Sequence, residues 1–194
     1  ARTIRALGLL RSAGVDGLAV HWTLHRGNCA ELHRLPALLA QLRIGDLVVG
    51  TVKAAGRAAL NPGLLIPPAM VPYLSMQVAA LARRAGIRLA RFTDRCGEGF
   101  GCPAVCGKFG ITAGGRVTGC VFLGPDLLGE SVRDHPLAEL WDRQEIRDRV
   151  FVANPVCAAC PALPASGGGC RARALHLLGD LNAPDPYCCA LHAQ

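Results

Sequence analysis

Residues 157–188 read CAACPALPASGGGCRARALHLLGDLNAPDPYC, and this stretch decides how the chain is to be read. Cys157 and Cys160 are two residues apart, so one tight knuckle brings both sulfurs to a single centre. Cys170 opens a segment predicted to be helical, and Cys188 closes the stretch, with Cys189 beside it. Working outward, Cys96, Cys102, Cys106 and Cys120 lie upstream, and only Cys29 falls in the first half of the 194 residues. Cys96, Cys102 and Cys120 come from before and within a predicted hairpin, Phe109–Thr112 and Val117–Val121, turning at Ala113-Gly114-Gly115-Arg116. Ligands gathered from several separate segments describe a fold organised around bound metal.

Three chemistries compete for these thiols. Disulfides need an oxidising compartment, and Ala1–Arg11 carries Arg2, Arg5 and Arg11 through an amphipathic pattern, not the apolar core of an export signal. Structural zinc favours paired knuckles, whereas here one clean knuckle stands without a histidine at ligand spacing. Iron–sulfur clusters accept thiolates from scattered segments at irregular spacing, because a cluster is larger than one ion. The cluster reading is favoured.

From Cys102 to Cys188 the chain resembles the SPASM domain, the C-terminal extension of many radical S-adenosylmethionine (SAM) enzymes. Cys102 is followed by twelve residues, Gly115, four more residues and Cys120; then come Cys157-Ala-Ala-Cys160, the run GGCRARA around Cys170, Gly179-Asp180 and Asp185-Pro186-Tyr187-Cys188. The resemblance implies two auxiliary [4Fe-4S] clusters. One would use Cys96, Cys102, Cys120 and Cys170. The other would use Cys157, Cys160, Cys188 and the position held here by Ser166, where the family has cysteine. A serine hydroxyl is a harder and less acidic ligand than a thiol. The second set is therefore one thiolate short, and an open or weakly filled iron is expected there. Filling by Cys106 or Cys189, or a labile or absent cluster, are the alternatives.

Residues 1–95 read as alternating helix and strand. Arg2–Ala13 places Ile4, Leu7 and Leu10 on one face and stops at Gly14, a helix C-cap signal. Gly17–Leu24, Asp46–Val52 and Ile87–Phe92 are predicted strands. Helices are predicted over 29–43, with Asn28 as N-cap and a kink near Pro36, and over Pro68–Ala85, closed by Gly86. The order calls for parallel strands joined by crossover helices. Three such units do not close an eight-stranded barrel. They are similar to the later strands of the radical SAM partial barrel, with VHWTLHRGN (residues 20–28) resembling its fifth strand and TVKAAGRA (51–58) its sixth.

The fold class expected is thus α/β: C-terminal βα units of a partial TIM-type barrel over 1–95, then a cysteine-rich SPASM-like domain of hairpin and helices over 96–194. The radical SAM signature C-x3-C-x2-C is not in these residues, and the chain opens on Ala1, so it reads as the C-terminal part of a longer enzyme. The resemblance implies that such an enzyme cleaves S-adenosylmethionine to a radical that takes hydrogen from a substrate, often a peptide and sometimes a tetrapyrrole. Auxiliary clusters would relay electrons from a donor or anchor the substrate. Asn28, at a strand's C-terminal end, and Gly56-Arg57 are the positions placed to meet S-adenosylmethionine; capping and a simple turn are their plainer roles. The catalytic residues are not legible. The alternative is a stand-alone iron–sulfur or zinc module without catalysis of its own.

Composition narrows the rest. With 51% hydrophobic and 18% charged residues, the chain has material for buried cores and is not disordered by composition. Residues 1–95 hold 13 basic and 4 acidic side chains, and residues 96–194 hold 8 and 10. A basic first half suits an anionic substrate, or simply a solvated surface. Aromatic residues are 5% and no basic–aromatic reader motif occurs, so no nucleic-acid partner is expected. The most apolar run, Ala58–Leu81, is broken by Asn61 and four prolines, so no membrane span is expected and the location expected is cytoplasmic. His21 and His25 share a strand face and read as structural; Trp141, Leu137, Leu140 and Ile146 read as one apolar helix stripe. Arg171 and Arg173 read either as charges tuning a nearby cluster or as helix-surface charges.

Overall fold

Short stretches carrying Val, Leu, Thr, Trp or Phe give three strands, β1 (Ala19–Leu24), β2 (Asp46–Thr51) and β3 (Arg88–Phe92). All three are parallel, in the order β1-β2-β3, with Ala19 opposite Asp46 and Asp46 opposite Arg88. A computed structural model describes residues 2–92, 104, 109–124, 127–143, 145–146, 148 and 154–192; Cys96, Cys102 and Cys106 fall outside the described residues. The chain divides into two compact units. One is Ala1–Val52 with Asn61–Arg95, and the other is Lys53–Leu60 with Cys96–Gln194.

In the first unit, parallel strands need crossover connections, and helices supply them. Helix α1 (Arg2–Ser12) precedes β1, α2 (Leu35–Gln41) precedes β2 and α3 (Val71–Arg84) precedes β3. Glycines stop the first and third of these. Gly14 and Gly86 sit at φ +76° and +63°, and the next residues, Val15 and Ile87, bond back to the Leu10 and Ala82 carbonyls at 3.0 and 2.9 Å. Helix α3 buries Val71, Leu74, Val78 and Ala82, one face at helical spacing. Leu24 and Val49 are fully buried in the same unit. On β1, Ala19, His21 and Thr23 are exposed while Val20 and Trp22 are half-buried, the alternation of a strand with one covered face. None of the α1 side chains is buried.

Two local expectations are corrected. The segment after Asn28 is a 3-10 turn, Cys29–Arg34, followed by α2 starting at Leu35. Pro36 stands in the first turn of α2, where a missing N–H costs nothing, and produces no kink. Asn28 stands at the N-cap position of the 3-10 turn, but its side chain makes no capping bond. Its Oδ1 accepts the His25 N–H at 2.8 Å and its Nδ2 donates to the Thr23 carbonyl at 3.1 Å, which folds the strand end back on itself. Pro62–Arg84 is long and apolar enough to cross a membrane by length and composition. Its prolines divide it into the 3-10 turns Pro62–Leu64 and Pro68–Met70 and helix α3, which packs against β3.

The second unit begins on a short hairpin of β4 (Gly110–Ile111) and β5 (Val117–Thr118). Gly115 at φ +83° makes the turn, and its N–H bonds the Thr112 carbonyl at 2.9 Å. Val117 is further held by the Glu130 carbonyl at 2.9 Å. Helices α4 (Leu137–Asp142), α5 (Pro155–Ala158), α6 (Leu163–Ser166), α7 (Arg171–Leu178) and α8 (Pro186–His192) follow. Val117, Cys120, Leu128, Leu140, Ile146 and Ala172 belong to one core cluster. Of the predicted stripe, Leu140 and Ile146 are fully buried, Trp141 meets Phe109 edge-on at 5.1 Å, and Leu137 is exposed.

Candidate metal centre

The knuckle is built by a cap. The Asn154 side chain accepts the Val156 N–H at 2.9 Å and Pro155 starts α5, which carries Cys157. The Cys160 N–H then bonds the Cys157 carbonyl at 3.0 Å, closing the turn that holds the two cysteines together. Helix α6 ends at Ser166, and Gly167, Gly168 and Gly169 follow at φ +55°, +78° and +82°. Three successive left-handed residues are tolerable only as glycine. They deliver Cys170 as the N-cap of α7.

The glycines also make room. A Cβ on Gly168 would stand 3.8 Å from the Cys157 Sγ and 3.4 Å from an Arg171 guanidinium nitrogen. A Cβ on Gly169 would stand 2.8 Å from the Cys188 Cβ and 2.6 Å from the Asp185 carboxylate. Cys157 and Cys188 therefore lie against two adjacent glycines, Gly168 and Gly169. Burial pushes the Cys157 thiol up, the Arg171 guanidinium pulls it down, and neighbouring Cys188, Cys160 and Asp185 push it up again. Cys189 is raised by burial and then by Cys188, Cys157 and Cys160. Ser166 is 3% exposed, and its Oγ accepts the Gly168 N–H at 3.2 Å.

Cys120 and Cys170 both belong to the core of the unit. Cys120 is buried in the core cluster, and Cys170 packs against that cluster. The Thr118 hydroxyl lies 2.8 Å from the Cys120 carbonyl and 2.7 Å from the Leu123 carbonyl, fixing the turn that presents Cys120. Lys53 shares this neighbourhood. Burial pushes its ammonium down to about 8, Arg173 adds to the fall, and Cys170, Asp185 and Cys120 oppose it. The sequence reading missed Lys53, since the charges that shift it come from residues more than 60 positions away.

A pH prediction follows from that shift. Below about pH 8 the folded and unfolded chains both hold the Lys53 proton, and the burial penalty is complete. Between about 8 and the ordinary 10.5 the unfolded chain binds the extra proton, so this group makes stability rise with pH. Lys53→Met should therefore stabilise the metal-free chain below pH 8, with the gain fading by about pH 10.5. Denaturant melts of both proteins across that range check it; a pH-independent difference would contradict it.

Among the described residues, no group of three or more His, Cys, Asp or Glu side chains is arranged to hold a metal ion. An open groove of about 450 Å³ lies beside the hairpin, lined by Gly56, Gly110, Thr118, Phe122 and His176 among others.

No family profile matches the chain. It is 31% identical over 196 residues to the PqqA peptide cyclase of Methylobacterium nodulans, covering 91% of this chain and 50% of the relative. It is 27% identical over 203 residues to the PqqA peptide cyclase of Gluconobacter oxydans, covering 97% of this chain and 55% of the relative. The chain is a relative of the radical SAM/SPASM enzymes. The crystal structure of Streptococcus suis SuiB bound to precursor peptide SuiA has a similar fold, with a TM-score of 0.66 and 17% identity, over 95% of this chain and 46% of that one. The chain spans about half the length of the curated relatives it matches.

In this radical SAM/SPASM relative the sites expected from sequence fall in different places. Cys157 and Cys188 lie against the adjacent Gly168 and Gly169, and Cys120 and Cys170 share one core cluster. Cys96 and Cys102 lie outside the described residues. Asn28 sits at the end of β1, in the first unit, with its side chain committed to Thr23 and His25. Gly56 and Arg57 are exposed on a 3-10 turn of the second unit, with Gly56 at φ +57°. The His25 ring accepts the Gly27 N–H at 3.1 Å, a structural use.

Proposed function

We propose that this chain is part of a radical SAM/SPASM enzyme that modifies a peptide, with residues 1–95 contributing strands of a partial barrel and residues 96–194 an auxiliary-cluster domain. The observation that carries the reading is the packing of Cys157 and Cys188 against the adjacent glycines Gly168 and Gly169, in a chain related to peptide cyclases. The sheet supports the barrel portion: its strands are parallel, and β1 leaves Ala19, His21 and Thr23 open on one face.

The donor set fits iron–sulfur clusters. Soft thiolates come from separate segments, and Cys157 and Cys188 lie against the bare Gly168 and Gly169. Cys120 and Cys170, with Cys96 and Cys102, would hold one cluster. Cys157, Cys160 and Cys188 would hold the other, one thiolate short at Ser166 and so with an open or weakly filled iron. When bound, these groups supply one-electron transfer.

This chain's own residues set the surroundings. Arg171 and Arg173 are 4% and 2% exposed, so their charges act on the thiolates through protein and not through water. Core packing around Cys120 keeps solvent from that sulfur. A cytoplasmic location, a peptide or small-molecule substrate and a separate electron donor complete the reading. No nucleic acid and no membrane enter it.

The test is chemical. Anaerobically purified protein should bind iron and sulfide and lose both when Cys120 and Cys157 are replaced together by alanine. Retention of iron by that double variant would sink the proposal.

A further inference from the structure

Asp185 is 1% exposed, yet each of its carboxylate oxygens is used. Its Oδ2 accepts the Cys170 N–H at 2.8 Å and an Arg173 Nη1 donor at 2.7 Å. Its Oδ1 accepts the Tyr187 N–H at 3.1 Å, which makes Asp185 the N-cap of α8. Its backbone carbonyl accepts the Cys189 N–H at 2.9 Å. One buried carboxylate thus holds the first residue of the segment bearing Cys170 and the first turn of the helix bearing Cys188.

The neighbours make that position rigid. Arg173 is 2% exposed and lies 4.0 Å over the ring of Tyr187, itself 1% exposed. Gly169 packs its bare Cα against Asp185 and Cys188, leaving no room for a side chain at 169. A buried ion pair adds little net stability over apolar residues of the same shape, because desolvation opposes the attraction. What this one supplies is orientation. Apolar residues could fill the space, but they could not bond the Cys170 N–H and the first turn of the helix bearing Cys188 at once.

We propose that Asp185, locked by Arg173, is the positioning residue that sets Cys170 and Cys188 together for metal binding, so that one carboxylate aligns both thiolate sets. The inference rests on the cluster reading above. Both carboxylate oxygens are occupied by N–H donors, so an amide cannot replace it: its NH2 group would face a donor.

The experiment compares wild type, Asp185→Asn, Arg173→Gln and Arg173→Lys, each purified anaerobically. The readouts are iron and sulfide per chain, low-temperature EPR of the dithionite-reduced protein, and far-UV circular dichroism. Asp185→Asn should carry less than half the wild-type iron and alter the EPR of every cluster the wild type shows, with helix content kept. Wild-type iron and spectra in Asp185→Asn would overturn the proposal. Whether or not that variant folds, Arg173→Lys, which keeps a charged donor, should recover at least twofold more iron than Arg173→Gln; equal iron in the two would also overturn it. A wild-type chain without iron would instead fail the cluster reading itself.

Discussion

Gly169→Ala is expected to destabilise the chain by about 4 kcal/mol, combining left-handed backbone strain with overpacking. The new methyl group would meet the Asp185 and Cys188 side chains at 2.6–2.8 Å, and those atoms belong to a buried, hydrogen-bonded network with nowhere to move. Gly179 provides the control. It has a similar φ of +75° but nothing within 4 Å of an added Cβ, so Gly179→Ala should cost only about 1 kcal/mol of backbone strain. Urea unfolding of the metal-free proteins measures both. Equal losses at the two positions would mean that the packing around Gly169 is not as described.

Ser166→Cys is the second large effect. Ser166 is buried beside the glycine turn that Cys157 and Cys188 abut, with its hydroxyl spent on the Gly168 N–H. A thiol there gives up most of that hydrogen bond, at a cost of about 1 kcal/mol to the metal-free chain. In return it completes a four-thiolate set, which a [4Fe-4S] cluster prefers. Iron bound after anaerobic reconstitution should rise, by as much as about four atoms per chain if the second site is empty beforehand. Adding Cys160→Ala should remove the gain. An unchanged iron content would mean that the fourth place is already filled or that no cluster forms there.

The elements of the first unit were legible in sequence because their signals are local. Gly14 and Gly86 end helices through their own backbone freedom, and the β-branched runs of β1 and β2 need only neighbours on one sheet. Errors arose where a side chain had two partners to choose from. Asn28 has the composition of an N-cap, but its amide satisfies the end of β1 instead. Pro36 reads as a kink only if the helix is assumed to run through it. In the second unit the spacing of Cys157, Cys160 and Cys170 placed the knuckle and the start of α7. The burial of Arg171 and Arg173 was not legible. Both sit in the short helix RARALHLL, and the acid that holds Arg173 arrives twelve residues later. Lys53 was missed for the same reason of distance.

The most direct measurement of the central claim is iron, sulfide and zinc per chain on anaerobically purified protein, read alongside visible absorbance and EPR. The account predicts a brown protein with equal iron and sulfide, roughly four of each per intact cluster, and an EPR signal on reduction. A colourless protein that carries zinc, or no metal at all, would contradict it.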